Sequence, residues 1–78
     1  MKLYYVYILE CSDGTFYTGV TNNIERRFLE HSTGISKTSY TYGRRPVKLV
    51  WYVETNLVYY AIEKEKQIKK WSQSKNGL

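Results

Sequence analysis

The chain reads as one α+β domain: a three-stranded, mostly antiparallel sheet flanked by helices in the order β-β-α-β-α, with a further helical turn at the end. Three observations lead there. Two runs with strand-like alternation, Lys2 to Glu10 and Phe16 to Thr21, are parted by a tight-turn signal. Two later segments carry apolar residues at helical spacing, each behind a residue suited to capping. The 78 residues suffice for one small domain and no more, and its thin core draws area from nine tyrosines.

The first strand, Lys2 to Glu10, puts Leu3, Tyr5, Tyr7 and Leu9 on one face. Ser12-Asp13-Gly14 fits a three-residue hairpin loop, a type I turn whose left-handed third position is filled by Gly14. That loop sets Leu9 opposite Tyr17 and Tyr7 opposite Gly19, so Tyr7 and Tyr17 become diagonal neighbours on one face. A two-residue Asp13-Gly14 turn would place the two phenols on opposite faces. Gly19, facing Tyr7, is expected to leave open space beside that ring for a substrate.

Asn22 or Asn23 caps a helix running to about Ser32, since an Asn side chain accepts from the free amides of a first turn. Ile24, Phe28 and His31 fall on its packing stripe, with Arg27 on the same side. Thr33 to Pro46 is a polar connection. Val47 to Glu54 is the third strand, with Val47, Leu49, Trp51 and Val53 alternating. Thr55 or Asn56 caps a second helix whose packing face holds Leu57, Ala61, Glu65 and Ile68, with Glu63 on the solvent side. Ser72 caps the terminal turn. With no repeat, linker or low-complexity tract, residues 1–78 are expected to form a single domain.

One cysteine and one histidine exclude an internal disulfide framework and clustered zinc ligands, which fits a reducing, cytoplasmic setting. No N-terminal stretch combines a basic region with a long apolar run and a small-residue cleavage site, and no apolar run nears the roughly 20 residues that span a bilayer, so neither secretion nor a membrane role is expected. Twelve Lys and Arg against seven Asp and Glu leave a net charge of +5, which favours polyanionic partners. The excess is clustered. Lys37, Arg44 and Arg45 in the connection read as phosphate contacts or as a solvated turn, and Tyr40 and Tyr42 as base-stacking rings or plain loop aromatics. Lys69, Lys70 and Lys75 extend the basic surface or simply face water.

Arg27, His31 and Glu65 stand where helical periodicity expects apolar residues, and an unpaired buried charge is costly. A purely structural account pairs Arg27 with Glu65 and makes His31 a hydrogen-bonded helix-end residue. A functional account gathers all three beside the two phenols.

Tyr5-Val6-Tyr7, Tyr17-Thr18-Gly19, then Arg27 and His31 at their spacing from Tyr17, with Arg45-Pro46 and the Ala61 to Trp71 helix, resemble the GIY-YIG nuclease superfamily. That superfamily includes homing endonucleases and the N-terminal nuclease domain of the bacterial excinuclease UvrC; the similarity is greatest to its small stand-alone bacterial members. Tyr5 stands at the first motif Gly and Thr18 at the middle Ile, while Val20 and Thr21 stand where some nucleases carry a lysine.

The resemblance implies Mg²⁺-dependent endonuclease chemistry on DNA, in a DNA-repair setting. It implies that Tyr7 and Tyr17 line the site, one of them activating water, that Arg27 steadies the phosphate, and that His31 shares in proton transfer. It makes Glu65 the anchor of one divalent cation, and one carboxylate with waters and a phosphate oxygen is an ordinary magnesium arrangement. Many catalytic relatives carry a site Asn near the end, in the region of Asn76. Without an appended DNA-binding domain, the expectation is selection of branched or otherwise structured DNA, or direction by a protein partner. The competing accounts are a nucleic-acid-binding module on the same fold with little catalysis, and a protein-interaction domain.

Overall fold

The hairpin closes on the three-residue loop. In the computed structural model, which describes residues 2–35, 37 and 39–76 with residues 71–76 described as backbone only, the Gly14 amide donates to the Cys11 carbonyl at 3.0 Å and Gly14 takes φ 85°. Strands β1 (Tyr4–Glu10) and β2 (Phe16–Thr21) therefore pair antiparallel with Leu9 facing Tyr17 and Tyr7 facing Gly19. Tyr7 and Tyr17 share a face, and their ring centroids are 6.3 Å apart.

Helix α1 (Ile24–Thr33) starts at Asn23, whose side chain accepts from the Arg26 amide at 3.0 Å, and ends at Gly34 in the left-handed conformation. Strand β3 (Lys48–Thr55) pairs antiparallel with the other edge of β1, giving the order β2-β1-β3. The β1–β3 register slips between Ile8 and Leu9, which face Trp51 and Leu49, so Val50 is bulged out.

Helix α2 (Val58–Asn76) packs on all three strands. Its backbone runs through Ser72 without a break, so the separate terminal turn is not formed. Leu57 precedes the helix and is exposed, because the helix begins one residue after it; the buried anchor is Ala61.

Tyr7, Leu9, Cys11 and Val47 form the core beneath Ile24, Phe28, Leu49 and Tyr17. Val6, on the other side of the pleat, is equally buried, so both faces of the central strand are covered.

Candidate active site

Tyr7 comes from the middle strand, Tyr17 from β2, Arg27 and His31 from α1, and Glu65 from α2. The first four meet where α1 crosses the hairpin face. Tyr7 Oη lies 3.2 Å from His31 Nε2, and the His31 ring is 5.0 Å from that of Tyr17. Arg27 and Glu65 lie close enough for their charges to act on the Tyr7 phenol, in opposite senses.

The two tyrosines differ in access. Tyr7 is 2% exposed, and burial, reinforced by Tyr17, holds its phenol far above the ordinary range. The space over Gly19 is not open to a substrate: a Cβ there would run into the Tyr7 hydroxyl and ring, so Tyr7 itself fills it. Tyr17 instead lines an open cleft of about 270 Å³ with Arg27, Glu30, His31, Ile35 and Ser39.

His31 is 8% exposed, and both ring nitrogens are engaged, Nδ1 lying 2.7 Å from Thr41 Oγ1. Burial and the Arg27 charge push its pKa below the ordinary 6.5, against a smaller opposing effect of Glu30. The histidine is a neutral imidazole around pH 7.

Arg27 and Glu65 do not pair with each other. The Arg27 side chain is 44% exposed with Nη1 3.7 Å from Glu30, and the Glu65 side chain is 25% exposed with an oxygen 3.1 Å from Lys69 Nζ. Both charges remain half-solvated, which spares them the cost of full desolvation.

A bound Mg²⁺ keeps several waters and takes one or two carboxylates with substrate oxygens. A partly exposed Glu65 near the Tyr7 phenol fits that demand, and no cluster of three His, Cys, Asp or Glu that suits a caged metal occurs among the described residues.

The basic loop is more committed than its composition implies. Arg44 Nε donates to Asp13 Oδ2 at 3.0 Å, its Nη1 donates to the Tyr40 carbonyl, and its guanidinium lies 4.0 Å over the Tyr40 ring. Arg45 donates to the Tyr42 carbonyl and covers the Tyr42 ring at 4.6 Å. Both arginines thus brace the loop and the short 3₁₀ turn Tyr42–Arg44. Lys37 is exposed. Tyr40 stacks on Tyr17, with centroids 5.9 Å apart at 26°. The Asn76 side chain lies outside the described residues.

Thr41, Ser39 and Glu30 belong to this arrangement and carry no periodic signal. Thr41 and Ser39 stand in an irregular connection, and Glu30 falls off the packing stripe of α1.

Comparison with known proteins finds similarity over nearly the whole chain. The GIY-YIG catalytic domain matches residues 3–78. A UPF0213 protein of Syntrophus aciditrophicus is 50% identical over 74 residues, covering 95% of this chain and 85% of its own length. A UPF0213 protein of Natronomonas pharaonis is 44% identical over 92% of this chain and 84% of its own. The solution NMR structure of a UPF0213 protein from Bacillus halodurans superposes with a TM-score of 0.59 at 39% identity, covering 96% of this chain and 79% of that one.

Proposed function

The chain belongs to the GIY-YIG nuclease family, and from that premise we propose that it is an endonuclease hydrolysing DNA phosphodiester bonds with one Mg²⁺. The observation that carries the reading is the contact of Tyr7 Oη with His31 Nε2 directly behind Tyr17, with Arg27 in the same cleft.

Tyr17, on the open side, orients the attacking water. A free phenol ionises at about pH 10 and is a poor base alone, so its proton needs a sink. Tyr7 and the neutral His31 stand behind it as that sink, the proton ending on Nε2. Arg27 leaves Glu30 for the scissile phosphate, whose growing negative charge suits a guanidinium fork. Glu65 would hold Mg²⁺, which when bound would supply charge neutralisation and polarise a water.

The proposal extends to selection of branched or otherwise structured DNA, or direction by a protein partner. The decisive assay offers branched, nicked and linear substrates with and without Mg²⁺. Tyr17→Phe, Arg27→Ala and Glu65→Ala are expected to lower cleavage by roughly 100-fold or more while DNA binding persists. Variants that nick as well as the parent refute the assignment. The second reading, a binding module with little catalysis, draws on the Glu65 contact with Lys69, which competes for the carboxylate. Salt-sensitive binding without Mg²⁺-dependent cleavage would select it.

A further inference from the structure

Thr41 is 0% exposed and heads the 3₁₀ turn, yet its side chain makes no capping bond there. Its hydroxyl turns to the histidine instead, with Oγ1 2.7 Å from His31 Nδ1 and 3.3 Å from Ser39 Oγ. The result is a buried row of polar groups from Ser39, at the cleft wall, through Thr41 and His31 to Tyr7.

A neutral imidazole donates from one nitrogen and accepts at the other, so this row has two polarities. In the first, Nδ1–H donates to Thr41, Thr41 donates to Ser39, and the last hydrogen points into the open cleft, while Nε2 accepts from Tyr7. In the second, every bond is reversed, and Nε2–H donates to Tyr7 Oη. The hydrogen of Tyr7, 2% exposed, must then turn to its neighbouring phenol, Tyr17, whose oxygen is a weaker acceptor than an imidazole nitrogen. Burial favours the stronger pairing, so the first polarity is the better satisfied one.

We propose that Thr41 is a positioning residue: its hydroxyl, braced by Ser39, holds His31 in the tautomer that leaves Nε2 free to accept a proton from Tyr7. The role parallels that of the third member of a catalytic triad, with a neutral hydroxyl in place of a carboxylate. When Nε2 takes the Tyr7 proton, Nδ1–H keeps its acceptor in Thr41 and no group in the row must turn.

The kinetic part of this inference rests on the nuclease reading; the tautomer itself does not. His31 is the single histidine, so ¹⁵N spectra of its ring report the tautomer without assignment by mutation. At a pH where the ring is neutral, the parent is expected to show a protonated Nδ1 and a bare Nε2. Thr41→Val should move the population toward Nε2–H, and Thr41→Ser should restore it. On a cleaved substrate, Thr41→Val should lower kcat by roughly 10-fold, in line with other orienting partners, with KM little changed. Ser39→Ala, which removes the acceptor of Thr41, should move the tautomer in the same sense and serves if Thr41→Val does not fold. A parent protonated at Nε2, or a tautomer unmoved in the variant, overturns the assignment whatever kcat does. A parent that cleaves nothing overturns the nuclease reading, and the spectra still decide Thr41.

Discussion

Gly19 lacks a side chain where the Tyr7 ring leans, so Gly19→Ala must displace that ring and the bond to His31. The expected cost is that of overpacking a filled core, about 1–3 kcal/mol, read by urea unfolding. Sequence pattern places Gly19 opposite Tyr7, but it does not say that the ring crosses over, because alternation gives faces and not rotamers. Glu30 shows the opposite case, an acid whose importance lies in its neighbour. It holds Arg27 at 3.7 Å, so Glu30→Gln should release the guanidinium and tighten DNA binding several-fold at low salt, measured by titration. His31 makes a third prediction. Its unfolded pKa is about 6.5 and its folded value is lower, so the unfolded chain binds more protons as the solution is acidified. The stability from keeping it neutral is whole above 6.5 and drains as pH falls toward the folded value. The urea midpoint of the parent should fall more steeply over that range than that of His31→Gln.

The hairpin register was legible among the elements because a single glycine in a three-residue loop fixes it, and the Asn23 cap because few residue types do that work. Asn23→Ala should cost about 1 kcal/mol, visible in thermal unfolding. The connection between α1 and β3 was not legible. Its composition reads as solvated and basic, whereas Arg44 and Arg45 brace it from the surface through bonds to Asp13 and to the carbonyls of Tyr40 and Tyr42. Those partners are up to 31 positions distant in sequence, beyond any periodicity. Arg44→Gln should therefore speed amide exchange in the Tyr42–Arg44 turn while leaving the sheet amides unchanged. The bulge at Val50 was equally invisible, since it arises from how β3 meets β1 rather than from β3 alone.

For the whole molecule, the net charge of +5 does not say which cations are free to meet a phosphate: Arg44 is paired with Asp13, whereas Lys37 stands exposed. Lys37→Ala, at an exposed position, should lower the salt slope of DNA binding by about 0.9, the share of one phosphate contact, with no effect on folding. The fold class and the order of elements followed from pattern, but the closing of β3 onto the central strand is a long-range event. Chains made on a ribosome emerge N-terminus first, and local pairings form before distant ones. Tyr7, Tyr17, Arg27 and His31 all leave the ribosome within the first 31 residues, while Glu65 follows the strand that completes the sheet. The carboxylate is thus the last of these groups to arrive, which divides the site between an early fragment and a late one. Two separately expressed pieces, cut in the connection after Gly34, would regain the full constellation only by reassociating.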